Sequence, residues 1–158
     1  MNLLIFDRAM NPLKHKELLR GFLAAALIIV GTTHFLVPQE YAKIVPPIFP
    51  AYTSVYVSGF FEILGGIGLC VPYLSVVAAR GLISLFIAVF PANIYLALHS
   101  DITLTNIPHS PLFYWLRLPF QPILIAWAYW YTRNPQDQKG ATRIAKQWQE
   151  LDRLVEKK

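Results

Sequence analysis

The stretch YTSVYVSGFFEILGGIGLCVP, residues 52–72, decides the class of this chain. It holds one charged residue, Glu62, in a run as long as the ~20 residues that cross a ~30 Å hydrocarbon core as a helix. Ser58, Gly59, Glu62, Gly65 and Gly66 recur three or four positions apart and so share one helical face. Small residues let membrane helices approach closely. The stripe is therefore expected to face inward and to take Glu62 with it.

Working outward, three more stretches have the same length and character, from about Leu18 to Val37, Val76 to Leu98 and Pro111 to Tyr131. The connections are a proline-rich loop (Pro38 to Pro50), a very short turn at Pro72-Tyr73, and a polar loop from His99 to Ser110. The expected fold is all-α: an integral membrane bundle of four helices over residues 18–133. It is preceded by a cytoplasmic segment (1–17) and followed by an amphipathic tail (134–158). Composition agrees, since only 15% of the residues are charged against about 25% in a soluble domain, and mean hydropathy is +0.42. The apolar Leu3 to Phe6 stops at Asp7, short of a signal-peptide core of ~7–15 residues. The first span is thus expected to act as the insertion signal. A single cysteine, Cys70, excludes an intramolecular disulfide and a CxxC redox pair.

The net charge of +5 reads as topology. With four spans, both termini share a side with the short second turn. That side holds twelve of the basic residues, from Arg8 through Arg80 to Lys158; the other holds Lys43, and Arg117 lies within a span. Such an asymmetry puts both termini in the cytoplasm of a bacterial inner membrane and argues against nucleic acid as a partner. Trp127, Tyr129, Trp130 and Tyr131 crowd the inner end of the last span, as an interfacial belt does. In the tail, Ile144, Trp148, Leu151 and Val155 recur at spacings of 4, 3 and 4, the stripe of a helix lying on the inner leaflet.

Ionisable groups within spans are costly, so each asks for a reason. His34, Glu62, Asn93, Arg117 and Gln121 are the polar set. His34 lies within a turn of the outer end of its span, Asn93 and Arg117 about five or six residues in, and Glu62 and Gln121 about ten; at 1.5 Å per residue they occupy roughly 10–15 Å of depth. All fall in the outer half, as the lining of one outward-facing ligand pocket does. Arg117 and Gln121 are an i, i+4 pair and project together. Pro91, Pro119 and Pro122 each free a carbonyl one turn earlier and are expected to splay the outer ends of spans three and four. Arg117 keeps its charge and is expected to pair with Glu62 within ~4–6 Å, with His34 and Gln121 meeting the remaining donors and acceptors. The plainer alternative is interhelical glue, worth ~0.6 kcal/mol per bond. A bis-histidine haem requires His34 and His99 at one level, and a metal at His34 and Glu62 lacks a third ligand; neither signature is present.

Four motifs carry a family resemblance: Thr33-His34-Phe35 with Pro38, Ser58-Gly59 with Glu62 and Gly66, Phe90-Pro91-Ala92-Asn93-Ile94, and Leu116-Arg117-Leu118-Pro119 with Gln121 and Trp127. Together, over about residues 18–133, they resemble the DoxX family of small bacterial inner-membrane proteins. The resemblance implies a four-helix membrane fold and a link to quinone-coupled oxidoreduction, with a bound quinone or a partner redox subunit supplying the redox chemistry. The leading expectation is a protein that binds a small amphipathic, quinone- or lipid-like molecule, alone, as a homo-oligomer or beside a redox subunit. Transport of protons or a small solute is the second. A structural or partner-binding bundle without ligand is the third.

Overall fold

The computed structural model describes residues 12–99, 101–105, 111–133, 142–143, 145–150 and 153–154. Among these all regular secondary structure is α-helical, with no strand. The elements run α1 (Pro12–Leu36), α2 (Pro38–Ala42), α3 (Ala51–Cys70), α4 (Ser75–Leu98) and α5 (Pro111–Thr132).

Proline sets most of the boundaries. Pro12, Pro38 and Pro111 stand at the first helical positions of α1, α2 and α5, where the missing N–H costs nothing and the fixed φ is already helical. α1 stops at Leu36 because Val37 precedes Pro38 and is extended away from the helical region, at φ −133° and ψ 55°, as a residue before proline is. α3 begins after Pro50 and ends one residue before Val71-Pro72. Two departures from the sequence reading follow. α1 starts six residues ahead of its apolar stretch, and the proline-rich loop contains the single-turn helix α2.

Three helical segments are long and apolar enough to cross a membrane: His15–Leu36, Ala51–Cys70 and Ser75–Leu98. α5, at 22 residues, is as long as these. Its apolar run is weaker because Arg117, Pro119, Gln121 and Pro122 fall in its middle. Large apolar side chains point outward on every long helix, among them Phe22, Leu64, Val77, Ile87 and Phe120, each at least half exposed. Exposed apolar surface on this scale is far beyond that of an ordinary soluble domain and is compatible with contact with a lipid bilayer. In the tail, the described residues between 142 and 154 are helical, with Trp148 and Leu154 exposed. Ile144, Leu151 and Val155 of the expected stripe lie outside the described residues.

Packing follows chain order: α1 lies on α3, α3 on α4, and α4 on α5. The principal core is at the end where α3 turns into α4. There Leu23, Ala24 and Leu27 of α1 meet Leu69 of α3, Leu82 and Phe86 of α4, and Ala128 and Tyr131 of α5. α5 closes back on α1 at this turn end: Tyr131 donates to the Lys16 carbonyl (3.4 Å), and Phe22 stacks on Trp127. At the opposite end, beside α2, the small cluster of Leu96, Leu104 and Tyr114 packs the α4–α5 loop onto the helices.

Candidate functional site

The site begins with glycine. Gly31 and Gly59 sit where α1 crosses α3. A Cβ on Gly59 would stand 2.6 Å from the His34 Cβ and 2.9 Å from the Gly31 carbonyl oxygen, and one on Gly31 would stand 2.8 Å from the Gly59 carbonyl oxygen. No real Cβ tolerates such approaches, so only glycine allows this separation. Two turns of α3 further, Gly66 meets the Ala24 backbone of α1, while Gly65 receives Leu82 of α4. The small-residue stripe thus serves two neighbours, and it holds Glu62 between them.

The close crossing brings His34 beside Glu62. The His34 Nδ1 lies 3.5 Å from a Glu62 carboxylate oxygen, and both residues are more than nine-tenths buried. The same Nδ1 is 2.9 Å from the Val30 carbonyl. A carbonyl only accepts, so Nδ1 carries the proton. The ring stacks on Tyr41 at 3.9 Å between centroids, and the Tyr41 hydroxyl is 2.5 Å from Thr33 Oγ1. The Oε2 of Glu62 is buried without a hydrogen-bond partner among the described residues. That leaves an acceptor uncompensated, at a cost of about 1–3 kcal/mol or more for a charged group.

The second half of the site lies on α4 and α5. Asn93 donates through Nδ2 to Gln121 Oε1 (3.1 Å), and Gln121 donates through Nε2 to the Phe86 carbonyl (2.6 Å). Phe86 precedes Ile87, whose carbonyl loses its usual donor to Pro91. The amide pair therefore stitches the two proline-bearing helices together at the level where their own ladders are interrupted. Arg117, one turn along α5 from Gln121, makes no hydrogen bond or ion pair among the described residues.

Between these halves lies a cavity of about 1010 Å³. All five sequence-derived residues, His34, Glu62, Asn93, Arg117 and Gln121, line it, in walls that are mostly apolar. The expected Glu62–Arg117 ion pair is not formed. The reason is arrangement: α3 lies between α1 and α4, so the ionisable neighbour of Glu62 comes from α1. Arg117 is across the cavity on α5.

Two features escaped the sequence reading. Tyr41, on α2, covers the His34 ring. Beyond it, Glu40 ties α2 to the α4–α5 loop. One Glu40 oxygen accepts from the Thr105 backbone N–H (2.9 Å), and the other accepts from Thr105 Oγ1 (2.8 Å) and Lys43 Nζ (2.8 Å). Lys43 also donates to the Thr103 carbonyl (3.2 Å). Lys43 and the Thr105 donors hold the Glu40 carboxyl down at about 2, well below its ordinary 4.5. The signal available in the sequence was the i, i+3 spacing of Glu40 and Lys43.

Fold and site define an all-helical protein with helices suited to a membrane, built around one polar-posted apolar cavity. Residues 23–132 match the family described as Domain of unknown function (DUF8561), and the chain belongs to that family. No curated protein and no solved structure matches it.

Proposed function

We propose that this is a four-span membrane protein that holds a small amphipathic molecule in the cavity between α3, α4 and α5, as an accessory of a membrane redox system. α5 is the fourth span, and both termini and the α3–α4 turn face the cytoplasm. The charge distribution supports this orientation: Lys16, Arg20 and Arg133 belong to the turn end, and Lys43 to the α2 end. The basic tail, with Trp148 and Leu154 exposed, suits a helix resting on the inner leaflet.

The observation that carries the binding reading is the cavity itself. It is at the upper end of the ~300–1,000 Å³ typical of ligand pockets. It offers long apolar walls and a few separated polar posts: the Arg117 guanidinium and the unpartnered Glu62 oxygen, with Asn93 and Gln121 between α4 and α5. Arg117 donates to a carbonyl or acid group of the ligand, and Glu62 with His34 offers an acceptor for a ligand hydroxyl. The turn end is filled by Leu23, Leu69, Leu82 and Tyr131, which speaks against a continuous transport path. The redox assignment, and a quinone as the molecule held, rest on the resemblance of the four motifs to DoxX proteins.

Purification in a mild maltoside detergent, followed by native mass spectrometry and thermal-shift titration with a short-chain quinone, tests the proposal. A co-purifying quinone or lipid, or stabilisation by added quinone that Ala92→Trp abolishes by filling the cavity, is the expected result. A protein that carries neither and is not stabilised by quinone sinks it.

A further inference from the structure

We infer that the cavity selects a single-tailed amphipath with one negative charge on its head, a long-chain carboxylate, and that Arg117 is its counter-ion. The inference rests on the amphipath-binding part of the reading above and replaces the neutral quinone suggested by the resemblance with a charged class.

Arg117 is the starting point. A guanidinium stays charged wherever it is placed, and a charge inside an apolar bundle is costly unless paired. None of the other charged or hydroxyl groups around the cavity is bonded to Arg117. Glu62 faces His34 on α1. Glu40 is saturated by Lys43 and Thr105. The Tyr41 hydroxyl pairs with Thr33, and the Tyr114 hydroxyl donates to the Ile102 carbonyl (2.9 Å). The chain thus leaves one cation on the cavity wall without a counter-charge of its own. The planar fork of arginine matches a carboxylate through two parallel hydrogen bonds.

The remaining walls restrict the head and the tail. The buried, unpartnered Glu62 oxygen accepts hydrogen bonds and offers nothing to a second negative charge, so a dianionic head is disfavoured in a medium where like charges repel strongly. Apolar lining from Leu85, Val89, Phe120 and Leu124 gives a hydrocarbon tail a dry path. Access is sideways. Tyr41 and the Glu40–Thr105 link lie over the α2 end, the turn end is packed, and α3 and α5 face each other across the cavity without α5 packing along α3. A ligand reaches the site from the apolar flank of the bundle, the route natural to a molecule already dissolved in lipid.

The test uses the full chain in phosphatidylcholine nanodiscs and measures retention of radiolabelled palmitate, hexadecanol and hexadecyl phosphate, each corrected for empty discs. Palmitate is expected to be held at least about tenfold more tightly than hexadecanol, the scale of one charge-assisted contact, and more tightly than the phosphate. Arg117→Gln should abolish that preference, bringing palmitate retention down to the level of hexadecanol. Arg117→Lys, which keeps the charge but not the fork, should keep part of it. Equal retention of palmitate and hexadecanol, or a preference that survives Arg117→Gln, overturns the charge selection. In that case hexadecanol retention lost on Ala92→Trp still upholds the cavity as an amphipath site. Retention of none of the three, with Ala92→Trp without effect, overturns both readings.

Discussion

The two ends of the bundle are built on opposite plans. At the turn end four helices converge on large apolar side chains, with Leu69 and Tyr131 fully buried, and the polar groups present have their bonds. At the α2 end the interior is a cavity, and its polar lining is incompletely satisfied: Glu62 Oε2 is buried without a hydrogen-bond partner, and the partly buried Arg117 has no ion pair, among the described residues. Stability resides at the first end. The second keeps room and unpaired charge, which fold stability alone does not explain, since a buried charge without a partner is a net cost.

The comparison can be broken at either end. Leu82→Ala removes a core side chain that also fills the notch above Gly65. It should cost about 2–5 kcal/mol, read as a lower unfolding midpoint in detergent, while leaving palmitate retention intact. Equal loss of both would mean that the ends are not separable. At the boundary between them, Gly59→Ala drives a methyl against the His34 Cβ. Overpacking of that order costs about 1–3 kcal/mol, and it should shift the His34 imidazole resonances in an NMR spectrum. Gly81→Ala is the control. Nothing lies within 4 Å of the added Cβ there, so it should stabilise the helix by about 0.5–1 kcal/mol.

The smallest effect concerns the link over the cavity. The folded-state value of Glu40, about 2, is below its ordinary 4.5. Its contribution is therefore fully present above pH 4.5 and disappears as the pH falls through about 2. Glu40→Gln should open the backbone amide of Thr105 to faster hydrogen exchange at neutral pH. The difference from the parent protein should shrink across that acidic window. A difference that does not change between pH 6 and pH 2 would remove the carboxylate from the link.

Much of this architecture was legible from spacing. The stripe of Gly59, Glu62 and Gly66 announces a close helix contact because three- and four-residue intervals have one geometrical meaning. That His34, Asn93, Arg117 and Gln121 line one cavity is consistent with the levels obtained by counting along each helix. Azimuth and neighbourhood do not follow from counting. Which helix stands beside which decided that Glu62 meets His34 and that Asn93 meets Gln121, and the expected pairing of Glu62 with Arg117 failed on that point alone. α2 was invisible because a single helical turn has no hydrophobic period. Its tie to Thr105 joins positions 65 residues apart, beyond any local pattern. In α5, the same arginine and prolines that mark the site dilute the hydropathy by which a span is recognised.

The nearest-neighbour order of packing also bears on how the chain assembles. Each long helix lies on the one that precedes it in the sequence, setting aside the short α2, so contacts are formed between segments made consecutively. Low contact order of this sort favours rapid, local assembly. The α1–α3 pair, zipped by Gly31, Gly59 and Gly66, has its interface complete before α5 is synthesised. The cavity acquires its last wall only when α5 arrives and its Tyr131 reaches Lys16. Until that moment the chamber is an open groove.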